Sequence, residues 1–216
     1  PPENGAASLI GNREIGRAGL AAPYRAETES ALACGISHTG EGTTFMEVFG
    51  DYLLEGRRLG CQRGGRLIFD RLDFTLASGG MLILKGPNGS GKSSLLRIMA
   101  MLVRPARGSL LWGGTPVTGD PQSHVANLHY VGHSDAVSPA MTAEEILTFW
   151  SGMRGAKGLS VAEALERFGI GHRADFPARY LSSGQKRRLA LARLLVNEAP
   201  LWILDEPTVG LDDDGV

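Results

Sequence analysis

Met81-Leu82-Ile83-Leu84-Lys85-Gly86-Pro87-Asn88-Gly89-Ser90-Gly91-Lys92-Ser93 is the stretch on which the fold turns. Four consecutive apolar residues suit a strand buried on both faces. The loop that follows matches G-x-x-x-x-G-K-[ST], and Leu95, Leu96, Met99 and Leu102 or Val103 recur behind it at helical spacing. Glycines at this spacing let successive backbone N–H groups turn inward, forming a cradle for an anion at a helix N-terminus. Lys92 is placed to reach the outer phosphates of a bound ligand, and the Ser93 hydroxyl to ligate Mg²⁺. Gly86, Pro87, Asn88, Gly89, Ser90, Gly91, Lys92, Ser93 and the adjoining Ser94 are the expected phosphate-binding residues.

Upstream, Arg66–Phe69 and Asp73–Leu76 read as short strands separated by a turn, with a second turn at Ala77–Gly80. Downstream, Gly108–Trp112 and Leu128–Val131 read as strands. The pattern then becomes helical. Thr142 with Glu145 forms a capping box ahead of Ile146, Phe149, Trp150 and Met153. Ser160 with Glu163 forms another, ahead of Val161, Leu165 and Phe168, and a third helix is expected over 183–197. Leu201–Leu204 is again a buried strand, ended by Asp205-Glu206. The fold class is therefore α/β: a nucleotide-binding core with a mainly parallel sheet, an antiparallel β subdomain near its start, and a helical insert over about 134–181.

Residues 1–52 differ from the rest. They carry three arginines against seven acids, whereas residues 53–216 carry 19 bases against 16 acids. Glycines interrupt every candidate element in this stretch, and Met46 offers an internal start, so it is expected to be a poorly ordered or spurious extension. The net charge of -1 over 216 residues gives no footprint for nucleic acid, and Lys186-Arg187-Arg188 is read as a solvated helix face. No apolar run is long enough to cross a bilayer. Cys34 and Cys61 form no CxxC, and His124, His129 and His172 have no metal-ligand spacing, which argues against a disulfide framework or a cysteine-based metal site. Cys61 is read as a core filler.

An acid at the end of a buried strand can hold the Mg²⁺ shell, a role assigned to Asp205. Its neighbour Glu206 can polarise a water for attack on a γ-phosphate. Leu181-Ser182-Ser183-Gly184-Gln185 precedes a basic helix, and Ser183, Gly184 and Gln185 present a second phosphate-binding edge. In this order and spacing, the phosphate loop, Leu181–Gln185 and Leu201–Pro207 resemble the ATP-binding cassette (ABC) ATPases, over about residues 53–216.

The resemblance implies an ABC-type P-loop NTPase with ATP and Mg²⁺ as ligands. It implies a homodimer of ATPase subunits in which Ser183, Gly184 and Gln185 act on the partner's nucleotide, with Gly210-Leu211-Asp212 at the interface. The helical insert falls where the family docks a transmembrane permease subunit. Two departures narrow the branch. The usual glutamine after the Leu128–Val131 strand is replaced by Tyr130-Val131-Gly132-His133, which makes His133 a candidate catalytic or γ-phosphate-sensing residue. The segment Gly60–Gly65 holds Cys61 and no aromatic to stack on adenine, so stacking is expected to be weak or to be supplied by Arg63. These departures, with Leu54-Glu55-Gly56-Arg57 and Arg179-Tyr180-Leu181, resemble the haem-export (cytochrome c biogenesis) branch. That branch implies a peripheral subunit on the cytoplasmic face of the inner membrane, pairing with a permease and haem-handling membrane proteins. In it, hydrolysis drives release of a haem-loaded chaperone. The alternatives are an exporter of drugs or lipids, or a soluble ABC protein acting on nucleic acid or ribosomes. In the family a histidine on a later strand contacts the γ-phosphate. No histidine follows His172, so the chain is expected to be C-terminally incomplete and to hydrolyse ATP weakly.

Overall fold

The computed structural model describes residues 7–9, 24–29, 53–155 and 157–211. Most of the expected extension, residues 1–52, lies outside the described residues. The chain divides into two compact units, Pro1–Val125 and Ala126–Val216.

In the first unit, β1 (Ala7–Leu9) pairs parallel with β2 (Tyr24–Glu29), which pairs antiparallel with β5 (Met81–Leu82). The second sheet is antiparallel, in the order β4-β3-β6-β7, from β3 (Leu53–Arg63), β4 (Arg66–Ala77), β6 (Arg107–Trp112) and β7 (Thr115–Pro116). The two short strands expected around Asp70 are thus one strand, and the true turn is Gly64-Gly65.

The reason is a pair of bulges. Gly56 faces Phe74, Leu59 faces Leu72 and Cys61 faces Phe69, so each strand in turn supplies an extra residue. Arg58 and Arg71 take up the excess with φ of 49° and 54°. The Arg58 N–H freed by its bulge donates to Asp73 Oδ1 at 2.7 Å, and Asp70 lies 3.6 Å from Arg107. Polar residues that read as a turn therefore stay inside a strand. Leu54, Leu59, Cys61, Phe69, Leu72 and Phe74 are buried, which accords with Cys61 as a filler.

The strand expected over 81–84 is paired only at Met81–Leu82, and helix α1 (Lys92–Met99) is a turn shorter than its apolar pattern suggested. Behind α1, helix α2 (Pro121–Ala126) carries a buried histidine. His124 Nε2 lies 2.8 Å from the Met99 carbonyl, and its ring packs edge-on against Trp112.

The second unit is built around a parallel pair, β8 (Leu128–Val131) and β9 (Leu201–Leu204), aligned Leu128 to Leu201 through Val131 to Leu204. Between them come α3 (Ala143–Met153), α4 (Val161–Arg167) and α5 (Ser183–Ala192). Both expected capping boxes form: Thr142 Oγ1 accepts from the Glu145 N–H, and Ser160 Oγ from the Glu163 N–H. Ala143, Ile146 and Leu147 of α3 pack with Ala164, Leu165, Ile170, Leu189 and Ala192 in one core. Trp150 joins its edge, but Phe149 and Met153, expected on the same face, are 56% and 60% exposed. A helix turns 100° per residue, and centring the buried stripe on Ile146 and Leu147 swings those two outward. Helix α5 ends at Ala192 rather than near Asn197. The chain there tightens into i−3 bonds (Leu194 N–H to Leu191, Leu195 N–H to Ala192), while the Leu195 carbonyl accepts from the Leu159 N–H.

Candidate functional site

The phosphate loop of the first unit has the backbone that its glycines were expected to allow. Gly86, Gly89 and Gly91 have φ of 155°, 80° and 102°, values that residues with a Cβ rarely adopt. Gly91 caps α1 directly without a side-chain cap hydrogen bond, and no acid occupies the first turn, so the positive helix end is left for an anion. Lys92 Nζ donates to the carbonyls of Gly86 (2.7 Å) and Pro87 (3.0 Å), which arches the side chain over the loop. An ammonium has three N–H donors, so one remains for a phosphate oxygen. The Ser90 hydroxyl is buried without a hydrogen-bond partner among the described residues, an oxygen placed where an anion would satisfy it.

In the second unit the ladder ends where the acids begin. The Asp205 N–H donates to the Val131 carbonyl at 2.8 Å, and the Asp205 side chain is buried. One residue on, Glu206 turns out of the strand with φ of 52° and exposes its carboxylate. Its Oε2 lies 3.4 Å from His133 Nδ1, so the histidine that replaces the usual glutamine stands beside the candidate base. The structure thus brings Asp205, Glu206 and His133 together at the shared end of β8 and β9.

The Leu181–Gln185 segment opens α5 with a capping box that the sequence reading passed over. Ser182 Oγ accepts from the Gln185 N–H at 3.2 Å, and Gln185 Oε1 accepts from the Ser182 N–H at 3.0 Å. The S-x-x-Q spacing was the available signal. The box engages Ser182 and Gln185 with each other, leaving the exposed Ser183 and the glycine N–H in the first turn. A Cβ on Gly184 would lie 2.9 Å from the Gly210 carbonyl, so only glycine lets these segments approach. Asp212 lies outside the described residues.

Arg187 overturns the reading of residues 186–188 as a solvated face. It is 3% exposed, and its guanidinium reaches the ends of both strands. Ala190, Leu191 and Leu194 at i+3, i+4 and i+7 are buried too, and this spacing could have placed Arg187 on the inner face. Nearby, the Arg193 guanidinium sits 4.8 Å over the Trp150 ring and donates to the Tyr130 carbonyl; burial pulls its pKa down, aided by Arg187. His129 Nε2 meets the Asn197 carbonyl at 3.0 Å, and burial lowers the imidazole pKa. No group of three or more His, Cys, Asp or Glu residues able to hold a metal ion occurs among the described residues.

A glycine cradle under a helix, an acid-ended strand and a capped Ser-Ser-Gly-Gln edge define a nucleotide-binding ATPase, and residues 69–209 match the ABC transporter family model. The chain belongs to that family and is an ATPase of the ABC type. It is 52% identical over 160 residues to the cytochrome c biogenesis ATP-binding export protein CcmA of Rhodospirillum rubrum, covering 74% of this chain and 69% of that protein. It is 49% identical to the CcmA of Paramagnetospirillum magneticum, covering 75% and 76%. Among solved structures, an ABC transporter ATP-binding protein from Pyrococcus furiosus aligns with a TM-score of 0.64 at 25% identity, covering 75% of this chain and 79% of that one. A bacterial Atm1-family ABC exporter with ATP bound aligns with a TM-score of 0.65 at 25% identity, covering 76% and 31%.

Proposed function

We propose that this chain is the ATP-hydrolysing subunit of an ABC exporter that serves haem export and cytochrome c biogenesis. The observation that carries this reading is the 46–52% identity, over about three quarters of the chain, to export proteins named for that process. The glycine cradle and Lys92 bind the phosphates of ATP. Glu206 takes a proton from the attacking water, and His133 beside it orients the carboxylate or senses the γ-phosphate. Ser93 and Asp205 supply a hydroxyl and a carboxylate, hard oxygen donors suited to Mg²⁺, which neutralises charge on the β- and γ-phosphates when bound. Ser183, Gly184 and Gln185 complete the partner's site in a head-to-tail homodimer.

The permease, a CcmB-like transmembrane subunit, docks on α3. There the exposed Phe149 borders an open concavity of about 570 Å³ that Met141, Glu144, Glu145 and Thr148 also line. The likeness to the CcmA export proteins supports a peripheral subunit held at the cytoplasmic face of the inner membrane by its permease. The test replaces the chromosomal copy with Glu206→Gln and measures haem-stained c-type cytochromes. The expected outcome is their loss, with the ATPase still co-purifying with the permease. Normal cytochromes with impaired efflux of another compound would assign the subunit to a different exporter.

A further inference from the structure

Every donor of the buried Arg187 guanidinium is engaged. Nε donates to the Pro207 carbonyl at 3.1 Å, one terminal nitrogen to the Gly132 carbonyl (2.9 Å) and Asp135 Oδ1 (3.1 Å), and the other to the carbonyls of Asp205 (2.8 Å) and Glu206 (2.6 Å). A guanidinium has five N–H bonds in a fixed plane, and here five acceptors from two loops converge on them. Three belong to consecutive residues, 205–207. The middle one, Glu206, is a non-glycine residue in the left-handed region, a conformation that persists only where its surroundings hold it. The other two flank His133. One side chain of α5 thus fixes both backbones whose side chains, His133 and Glu206, meet at 3.4 Å.

We infer that Arg187 is a positioning residue for hydrolysis, aiming the Glu206 carboxylate by holding the backbone of residues 205–207 against that of residues 132–135. This rests on Glu206 being the base. Arg187 touches no reacting atom, so its removal should leave nucleotide affinity alone and slow turnover. Lysine cannot replace it: an ammonium has three tetrahedral donors, too few for these five acceptors.

The experiment measures steady-state ATPase and ATP titration on the full-length subunit assembled with its permease. Variants are Arg187→Lys, Glu206→Gln, the double variant, and Asp135→Asn, which removes the single carboxylate acceptor while keeping the arginine. Arg187→Lys should lower kcat about tenfold or more with KM within about threefold, and the double variant should be about as slow as Glu206→Gln alone, because both changes disable one device. Asp135→Asn should lower kcat by a smaller factor, again with KM unmoved. Parental kcat in Arg187→Lys or Asp135→Asn overturns the proposal. So does a multiplied loss in the double variant, or a rise in KM matching the fall in kcat, since those mark general damage to the fold. If Glu206→Gln itself turns over at the parental rate, the underlying reading of the base fails instead.

Discussion

Gly86 to Lys92 owe their shape to their own sequence, whereas Asp205 to Pro207 owe theirs to an arginine that precedes them by a helix. The loop needs three glycines able to take positive φ and one lysine that folds back on its own carbonyls. The end of β9 needs Val131 to extend the ladder, Arg187 to hold three carbonyls, and His133 to face the carboxylate. A locally determined cradle can be recognised wherever it occurs. A site held from a distance is more open to variation, because any group that supplies the same hydrogen bonds can hold it.

The largest expected effect tests the local side. Lys92→Ala removes the cradle's only cation and should abolish productive ATP binding; nucleotide titration at the parental affinity would show that the backbone alone suffices. Next, Glu206→Gln should slow turnover about a hundredfold or more while ATP still binds and an ATP-loaded dimer accumulates, measurable by ATPase assay and size-exclusion chromatography. A parental rate would remove Glu206 from the base role.

A smaller effect is expected from Leu147→Ala, a fully buried member of the helical core. It should cost about 2–5 kcal/mol and lower the Tm by roughly 5–15 °C, leaving the affinity of the folded fraction for ATP within about twofold. Calorimetry and titration check both parts. The smallest effect is on pH dependence. Burial lowers the pKa of His124 and His129 below 6.5, partly offset by the Met99 and Asn197 carbonyls and, at His129, reinforced by Arg154 and Arg193. The unfolded chain then binds the proton more readily, so the stability from these neutral imidazoles is complete above about pH 6.5 and declines as pH falls toward the folded-state values. The Tm should drop between pH 7.5 and 5.5, with a shallower slope in His129→Gln; a Tm that rises on acidification would contradict the buried neutral state.

The phosphate loop, the acid-ended strand and two of the capping boxes were legible in the sequence because each is written within a few adjacent residues. The bulged strand was not. Asp70-Arg71 has the polarity of a turn, and only the register against β3 shows that the left-handed Arg71 keeps the chain in the ladder. The face of α3 was misjudged because Phe149 and Met153 are apolar at helical spacing. What decides which stripe is buried is the position of Leu165, Ile170 and Leu189, which lie further along the chain. Arg187 was misread for the same reason: a triplet of basic residues suggests solvent, and its acceptors come from residues 132, 135 and 205–207.

The alignment of β8 with β9 also sets a timetable for synthesis. Leu128 leaves the ribosome about 70 residues before its partner Leu201, which at typical elongation rates means roughly 4–15 s with an apolar strand unpaired on that side. The three self-capped helices emerge in that interval and can begin to pack on one another before the strand is complete. Co-translational handling of this protein should therefore centre on residues 128–131, and chaperones that shield short apolar segments should engage there and let go once β9 has emerged.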